Sequence, residues 1–575
     1  MRYSSVFRTL FRVVSLSGRV FASIALLLVC SAADAAAASP AFPLRTSGRF
    51  IVDSNGTRVR LNGVNWYGAE SSDFVVAGLQ VASLQSIVQQ IKSFGFNVVR
   101  LPWSNQLYET NPVVGSYALS ANPSMEGENA LTILDQVIAA LTNAGIMVIL
   151  DNHNSNAEWC CSTADGNSLW YNSQYPQANW IADWQGMVQR YQNNPLVIGV
   201  DLRNEPRSPA TWGGSSADDW HAAAQLGGNA VLNVNPNLLI FVEGVNYATD
   251  LSGAATLPIQ LNLPHQLVYE AHNYGFDYSN LTSYSDYMSR MTSAWGYLVT
   301  GNNPQPLWLG EFGTCNTSAT CINSGSNGDL GYWFNMITAF VQQYGVDWTY
   351  WAANGTQSTG NTRTYGAGES YGVFNSAWNA GANPSLTTRL QGMMANAPAG
   401  FTLVGSGTPM IAAQGGTVTA TVAVVPGNGF SGTVNLSCSV SGPSGSVGMP
   451  TCSVSSAVSV ASSGPTSATV TIVTAGSAAN TKPTDPSKLI RTASGAVAAC
   501  GVLLIGSFVR RRAILLSLLA VIATIGLTGF SGCGSASATS GGATQGTSAG
   551  TYSVVVIGSA NGASSASTQI ALTVQ

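Results

Sequence analysis

Charged residues are scarce in this chain of 575 residues: Asp, Glu, Lys and Arg together make up 8%, against roughly a quarter in an average soluble protein. Ser, Thr, Asn and Gly take their place, as is typical of a secreted surface. The net charge is only −4. No basic cluster is interleaved with aromatic residues, so nothing in the sequence indicates nucleic-acid binding.

The amino terminus has the pattern of a secretory signal peptide, predicted over residues 1–35. Four arginines precede an apolar run at residues 20–29, and Ala33-Asp34-Ala35 provides a cleavage site with small residues. The apolar run is too short for a permanent membrane helix. We therefore expect export to an oxidising compartment.

The nine cysteines fit such a compartment. Cys30 would leave with the signal peptide, whereas Cys315 with Cys321 and Cys438 with Cys452 are close enough in sequence to form disulfides. The adjacent Cys160 and Cys161 match no zinc motif. They form either a bridge between neighbours or bonds to cysteines elsewhere.

Strand-like and helical segments alternate from residue 59 to residue 351, after a hairpin signal around Asn55-Gly56. Eight apolar strand-like runs occur, each separated from the next by helical periodicity or a long loop. They are residues 59–64, 96–101, 146–150, 197–202, 238–243, 267–271, 306–313 and 346–351. Eight such units predict a TIM (β/α)8 barrel over residues 42–398.

Polar or aromatic residues occupy the carboxyl ends of these runs, which is the rim where barrel active sites are built. They are Asn65, Trp66, Arg100, His153, Asn204, Glu205, Glu243, His272, Tyr274, Glu311 and Trp351. Glu205 and Glu311 end two strands far apart in sequence, and a closed barrel would bring them together. Paired carboxyl groups are what glycoside hydrolysis requires. For Glu243, a solvated strand end is as good an interpretation as a functional one.

Five motifs resemble glycoside hydrolase family five, the large cellulase family. They are Asn97-Val-Val-Arg-Leu-Pro102, Leu202-Arg-Asn-Glu-Pro206, His272-Asn-Tyr274, Leu309-Gly-Glu-Phe-Gly313 and Trp348-Thr-Tyr-Trp351. The segment from Val231 to Gly244 is similar to the bacterial endoglucanase branch of that family. Asn152 stands where many endoglucanases of this branch have a basic residue, which leaves the choice between glucan and mannan open.

The resemblance implies a retaining mechanism in which Glu205 is the acid/base and Glu311 the nucleophile. It also implies supporting residues around them. Arg100 and Tyr274 would contact the nucleophile, Asn204 would bind the sugar 2-hydroxyl group, and His153 and His272 would lie at the cleavage subsite. Trp351 would form the sugar platform. The two carboxyl groups suffice for this chemistry, so no metal or other cofactor is implied.

Further tryptophans fall in the predicted rim loops, where stacking on sugar rings competes with ordinary packing. They are Trp66, Trp103, Trp159, Trp170 and Trp212. Of these, Trp66 is included among the candidate substrate-binding residues.

After residue 398 the composition shifts to Ser, Thr, Gly, Val and Ala, and residues alternate with period two in several runs. We predict a small all-β sandwich over residues 399–575 that resembles the immunoglobulin-like modules of bacterial secreted enzymes. Residues 493–530 interrupt it with two apolar arms around Arg510-Arg-Arg512, which predicts a transmembrane hairpin. A lipoprotein-like signal ending at Cys533 and a buried helical hairpin are the alternatives.

Taken together, the sequence predicts a monomeric endo-β-1,4-glucanase acting on a β-glucan polysaccharide. It would be secreted or held at the cell surface or in the periplasm, with a possible membrane tether. A β-mannanase or exo-β-glucosidase on the same barrel is one alternative. A catalytically silent glycan-binding surface protein is another, although the presence of both carboxylates argues against it.

Overall fold

The computed structural model describes residues 39–214, 216–278, 280–394, 399–462, 464–477 and 545–575. The predicted signal peptide at residues 1–35 and the predicted hairpin at residues 493–530 lie outside these ranges. In the part of the chain that is described, no helix is both long enough and apolar enough to cross a membrane.

Eight parallel strands close into a barrel in chain order, which confirms the predicted TIM-type fold. An antiparallel hairpin of β1 (Arg45–Ser47) and β2 (Phe50–Val52) precedes it. The barrel strands are β3 (Asn62–Asn65), β4 (Val98–Ser104), β5 (Met147–Asn154), β6 (Val197–Asp201), β7 (Leu239–Glu243), β8 (Leu267–Tyr274), β9 (Leu307–Gly313) and β10 (Asp347–Tyr350). Closure is completed by pairing of β10 with both β3 and β9.

Helices cover the outside of the barrel and lie between the strands in sequence. They are α1 (Leu84–Ser93), α2 (Asn105–Thr110), α3 (Ala130–Asn143), α4 (Gln177–Tyr191), α5 (Trp220–Val234), α6 (Tyr284–Met291), α7 (Tyr297–Thr300), α8 (Leu330–Tyr344) and α9 (Pro384–Gln391). Their starts follow ordinary capping chemistry. The side chains of Ser83, Asp219 and Ser283 accept hydrogen bonds from backbone N–H groups in the first turns of α1, α5 and α6.

One strand boundary differs from the sequence prediction. The first barrel strand begins at Asn62 rather than at residue 59, because the chain before it still pairs with the hairpin through a bridge between Val52 and Arg58. A π-helical turn at Thr292–Gly296 separates α6 from α7.

The barrel interior changes from apolar to polar along the strands. Inward-facing Val98, Ile149, Phe241, Val268 and Trp308 form an apolar layer near the hairpin. Because side chains alternate along a strand, the inward position two residues later holds Arg100, Asp151, Glu243 and Glu270 on four of the same strands. The apolar layer thus closes one end of the barrel, and a polar layer lies beneath the other end.

Two sheets follow the barrel, and their neighbouring strands are antiparallel except for β12 and β19, which pair in parallel. One has the strand order β11-β13-β17-β15 and the other β12-β19-β18-β14-β16. Their strands are β11 (Gly400–Gly405), β12 (Met410–Ala412), β13 (Thr417–Gly427), β14 (Gly432–Ser441), β15 (Thr451–Val454), β16 (Ala457–Val460), β17 (Thr466–Val473), β18 (Gly550–Ala560) and β19 (Ala563–Val574). A shared apolar core fills the space between them. Since β18 pairs with β14, the chain on both sides of residues 478–544 builds one unit.

This unit packs against the barrel through α8. Thr402 donates a hydrogen bond to Gln342, and Val404 and Val425 join the barrel's own apolar core. The backbone N–H of Asn327 donates to the carbonyl of Gly407. Both predicted local disulfides, Cys315–Cys321 in the barrel and Cys438–Cys452 in the sheets, are present.

Candidate active site

Glu205 and Glu311 come together at the carboxyl ends of the barrel strands. Glu205 follows β6 and Glu311 lies in β9, and one carboxylate oxygen of each lies within 4.8 Å of the other. Both line an open cleft of about 360 Å³. The other cleft residues are His153, Trp159, Cys160, Cys161, Asn204, Tyr274, Phe276, Trp351, Arg363, Glu369 and Tyr371. Retaining glycosidases hold their two carboxyl groups about 5 Å apart, and inverting enzymes hold them further apart.

Glu311 is held by two hydrogen-bond donors. Nη1 of Arg100 lies 2.7 Å from Glu311 Oε1, and the Tyr274 hydroxyl group donates to Oε2 at 2.9 Å. Arg100 is completely buried. Both contacts fix the orientation of the carboxyl group in the cleft.

Glu205 has a different environment, which favours its protonated form. Burial is the largest influence on its carboxyl group and raises its pKa to about 7, against the opposing effects of Arg207 and Arg100. Its backbone is also held tightly. Glu205 has a φ of +48°, its N–H donates to Glu243 Oε2 at 2.6 Å, and its carbonyl accepts from Arg207 Nη1 at 3.0 Å. An uncommon backbone conformation is thus held in place by two buried partners.

Beneath the cleft, Arg100 lies within a ring of carboxyl groups. Its guanidinium nitrogens lie 2.6 to 3.6 Å from Asp151, Asp201, Glu243, Glu270 and Glu311. Although burial alone would lower its pKa, these carboxylates raise the pKa of Arg100 above its ordinary value.

One cation cannot neutralise so many buried carboxylates, so some of these groups must be protonated. Burial is the main cause that raises the pKa of Asp151 and of Asp201 to about 6. It also raises the pKa values of Glu243 and Glu270 well above the ordinary range, and the charge on Asp201 adds to the effect.

Asp151, Asp201 and Glu270 were absent from the sequence prediction. The alternation of side chains along each strand could have identified them. Each lies two residues beyond an inward-facing position on its strand and therefore faces the barrel interior as well. Glu243, for which a solvated strand end was one interpretation, is fully buried. It contacts Arg100, His272 and the backbone of Glu205.

His153 and His272 are neutral at neutral pH, because burial lowers the pKa of His153 to about 3 and that of His272 to about 4. His153 Nδ1 is 2.7 Å from Asp151 Oδ2. His272 lies between the cleft and the polar layer. Its Nδ1 is 3.0 Å from Glu205 Oε1, and its Nε2 is 3.4 Å from Glu270 Oε1. A neutral imidazole has one N–H, so it can donate to one carboxyl group and accept from the other.

Trp351 lines the cleft, as predicted for the platform residue. Its ring stacks on Tyr67 at a centroid distance of 5.2 Å, and on His153 at 5.5 Å. The Tyr67 hydroxyl group hydrogen-bonds Glu369, which also pairs with Arg363. The platform is therefore supported from behind by a second aromatic ring.

The other predicted tryptophans divide into two groups. Trp66 does not line the cleft, and its prediction as a substrate contact is corrected. Its side chain is fully buried beside Trp378, and its Nε1 donates to the carbonyl of Ala77. Trp103 and Trp170 are buried as well, and Trp212 is partly buried outside the cleft, where its Nε1 donates to the carbonyl of Leu257. Trp159 does line the cleft and packs under the guanidinium of Arg363 at 4.0 Å.

The polar layer contains a group of possible metal ligands, whose carboxylates already contact a guanidinium. Glu243, Glu270 and His272 have ligand atoms within 4.8 Å of one another. The guanidinium of Arg100 already lies 3.2 Å from Glu243 and 3.6 Å from Glu270. A divalent cation placed there would adjoin a buried positive charge.

Comparison with known proteins identifies relatives of the barrel. The sequence profile described as Cellulase (glycosyl hydrolase family 5) matches residues 52–357. An endoglucanase of Paenibacillus polymyxa is 36% identical over 327 residues, which cover 54% of this chain and 79% of that protein. The major extracellular endoglucanase of Xanthomonas campestris pv. campestris is 36% identical over 304 residues, which cover 50% of this chain and 61% of that protein.

Solved structures that are similar to this chain include an endoglucanase and an endocellulase. The catalytic domain of the major endoglucanase from Xanthomonas campestris pv. campestris superposes with a TM-score of 0.52 at 29% identity, covering 61% of this chain and 99% of that domain. An endocellulase of Pyrococcus horikoshii in complex with cellotetraose gives a TM-score of 0.52 at 27% identity, covering 61% of this chain and 98% of that one.

Proposed function

The chain belongs to glycosyl hydrolase family 5, and from this membership and the geometry of the cleft we propose that it is an endo-1,4-β-glucanase. It hydrolyses β-1,4-glucosidic bonds in cellulose or related β-glucans and retains the configuration of the anomeric carbon. The observation that carries the proposal is the pair of Glu205 and Glu311, with carboxylate oxygens within 4.8 Å of each other in unlike environments. That spacing suits direct attack by one carboxylate on the sugar.

The unlike environments assign the two roles. Glu311, oriented by Arg100 and Tyr274, attacks the anomeric carbon. Glu205 has a raised pKa of about 7, so it carries a proton over much of the acidic to neutral range and gives it to the leaving oxygen. This first step produces a covalent glycosyl-enzyme and a shortened chain.

In the second step Glu205, now ionised, takes a proton from a water molecule. The water oxygen attacks the anomeric carbon, the bond to Glu311 breaks, and the sugar leaves with its original configuration. Asn204 binds the sugar 2-hydroxyl group, a contact that strengthens as positive charge develops on the ring. Trp351 supports the apolar face of the sugar.

The first test is release of reducing sugar from carboxymethyl cellulose, mixed-linkage glucan, mannan and xylan by the purified full-length chain. We expect activity on the two glucans, and we expect Glu311→Ala to lower it by about three orders of magnitude or more. Glu126→Ala is the matched control, because Glu126 is exposed and lies outside the cleft. A main activity on mannan would instead indicate the β-mannanase alternative. Inactivity of the folded protein on all four polymers would refute the glucanase proposal.

A second test separates the roles of the two carboxyl groups. A dinitrophenyl cellobioside has a leaving group that needs no proton, so Glu205→Ala should retain far more activity on it than on a polysaccharide. Glu311→Ala should be inactive on both. Equal losses in the two variants on both substrates would contradict the assignment.

Asn152 does not select between glucan and mannan through direct contact with the substrate. It is fully buried, accepts a hydrogen bond from Arg203 and donates one to Asn105. It therefore holds the loop after β5 from inside, and substrate preference rests on other residues of the cleft.

We further propose a secreted, envelope-tethered enzyme of three parts. Residues 1–35 are the signal peptide, residues 42–398 the catalytic barrel, and residues 399–575 an immunoglobulin-like module into which residues 493–530 insert as a membrane hairpin. The two-sheet architecture and the pairing of β18 with β14 across residues 478–544 support the module and its insertion. Fractionation of the full chain and of a variant lacking residues 490–535 tests the tether. Only the full chain should sediment with membranes, and identical behaviour of the two would count against the tether.

The protein is proposed to act as a monomer, since the cleft is formed by one barrel. Size-exclusion chromatography with light scattering measures its mass, and a stable dimer would contradict this.

A further inference from the structure

The adjacent cysteines that the sequence left open form a disulfide with each other, and this disulfide lies in the cleft. Cys160 and Cys161 are bonded in the loop that follows β5. Both line the cleft together with Glu205 and Glu311. Nothing in the retaining mechanism requires sulfur, so their position needs its own explanation.

The two sulfur atoms contact one side chain of the proposed substrate-binding set. Asn204 Nδ2 lies 3.4 Å from Sγ of Cys160 and 3.5 Å from Sγ of Cys161. The other end of the same amide accepts a hydrogen bond from Arg100 Nη2 at 2.9 Å. Arg100 can only donate, so it determines which end of the amide is oxygen. The disulfide then determines where the NH2 end lies.

We propose that the Cys160–Cys161 disulfide positions the Asn204 amide for the sugar 2-hydroxyl group, so that reduction of this bond reversibly lowers turnover. The proposal rests on the glucanase function proposed above. The disulfide itself transfers nothing during hydrolysis. It is a positioning element that acts through Asn204.

The loop that holds the disulfide is anchored independently of it. Arg207 pairs with Asp165 at 2.5 Å, and its Nε donates to the carbonyl of Ser162. Asn167 accepts from the backbone N–H of Ser155 and donates to Glu158. Opening the disulfide should therefore leave the loop in place and free only the two cysteine side chains.

Freeing those side chains has a defined consequence. The bond between neighbouring residues closes a small covalent ring, which keeps both sulfurs together on one side of the chain. Two separate thiols can rotate about their own Cα–Cβ bonds, so they need not stay beside Asn204. The amide then keeps its contact with Arg100 but loses the constraint on its NH2 end. A loss of alignment worth about 1.4 kcal/mol would lower the rate tenfold.

The reduction itself balances with a phosphine as the electron donor. The phosphine breaks the sulfur–sulfur bond and is oxidised to the phosphine oxide with the oxygen of one water molecule. The two protons of that water end on the two thiols. A small-molecule disulfide then serves as the oxidant: it accepts the two electrons and two protons, leaves as two thiols, and restores the bond between the cysteines.

The test measures kcat and KM of the full-length chain on an aryl β-cellobioside before reduction, after phosphine treatment, and after reoxidation. Mass mapping of alkylated cysteines reports which disulfides have opened. We expect kcat to fall about tenfold on reduction, with little change in KM, and to recover on reoxidation. The variant Cys315→Ser/Cys321→Ser, which lacks the other barrel disulfide, should respond in the same way. The variant Cys160→Ser/Cys161→Ser should be slow from the start and insensitive to phosphine.

A 2-deoxy analogue of the cleaved sugar separates positioning of Asn204 from a general structural effect. Reduction should have almost no effect on its kcat, because the hydroxyl group that Asn204 binds is missing, whereas general damage to the cleft would slow both substrates equally. Equal slowing would overturn the proposal. So would an unchanged rate when mapping shows Cys160 and Cys161 reduced, or wild-type activity in Cys160→Ser/Cys161→Ser. If the oxidised enzyme cleaves no glycoside at all, the glucanase proposal itself fails and this inference fails with it.

Discussion

Glu243 offers a sharp test of the protonation states beneath the cleft. Its carboxyl group is fully buried, and burial together with the charges of Asp201 and Glu270 raises its pKa well above the ordinary range. We therefore expect burial to favour the protonated, neutral form of Glu243. If so, the neutral Glu243→Gln should function nearly as well as the native residue, whereas Glu243→Ala should not.

The cost of Glu243→Ala follows from the contacts that it removes. The backbone N–H of Glu205 would lose its acceptor at 2.6 Å, and Arg100 would lose one of its own at 3.2 Å. Arg100 Nη2 keeps Asp201 and Asn204 as acceptors, so only the Glu205 N–H is left without a partner, which costs about 1 to 3 kcal/mol. Part of this cost should appear in stability and part in kcat/KM, which we expect to fall about 10- to 100-fold. Gln keeps an acceptor for the Glu205 N–H, although its NH2 group then faces the Arg100 guanidinium, so it should retain more activity than Ala and remain within about tenfold of the wild type.

The pH dependence of stability gives an independent measure of the protonation of Glu243. Unfolded Glu243 ionises near its ordinary pKa of 4.5, whereas the folded residue stays protonated to a higher pH. Above about pH 4.5 the unfolded chain has lost this proton and the folded protein keeps it, so folding takes up a proton. The contribution of Glu243 therefore lowers the free energy of unfolding by about 1.4 kcal/mol for each further pH unit, until the pH reaches the raised pKa of the folded residue. Glu243→Gln removes that contribution, so its free energy of unfolding should fall less steeply with rising pH than that of the wild type.

Urea unfolding followed by circular dichroism at several pH values measures the slope, and aryl cellobioside hydrolysis measures kcat/KM. Equal slopes for the wild type and Glu243→Gln would refute the expected protonation. A Gln variant as inactive as the Ala variant would show that the negative charge is needed. Full activity of Glu243→Ala would show that this contact does not hold Glu205 in place.

Three further predictions concern the cleft. Tyr274→Phe removes the hydroxyl group that donates to Glu311 at 2.9 Å, so kcat/KM should fall about 10- to 100-fold with an unchanged circular dichroism spectrum; an unaltered rate would contradict this contact. Because Glu205 has a pKa of about 7 and must be protonated to act, kcat/KM should decline as the pH rises through about 7, and a profile flat to pH 9 would exclude Glu205 as the acid. Trp351→Ala should raise KM on cello-oligosaccharides. Trp66→Phe should leave KM unchanged and lower the melting temperature, because Trp66 is buried. A raised KM for Trp66→Phe with an unchanged KM for Trp351→Ala would restore Trp66 as a substrate contact.

The strand-end residues of the candidate site could be predicted from the sequence, because the carboxyl ends of the strands meet at one rim once the barrel closes. Glu205, Glu311, His153 and His272 all line or adjoin the cleft where that reasoning placed them. Trp66 was misplaced for a reason that the sequence does not contain. It follows the first barrel strand, but its ring turns toward the outer packing layer and Trp378 rather than toward the cleft.

The sequence by itself determined the order of strands and helices and the two acidic residues that end β6 and β9. These features depend on local patterns of apolar residues, which every short segment carries on its own. Only the tertiary structure decided which ionisable side chains lie close enough to shift one another's pKa values. The ring of carboxyl groups around Arg100 and the contact between Asn204 and the disulfide join residues from different strands, and their pKa values depend on a burial that exists only when the barrel closes.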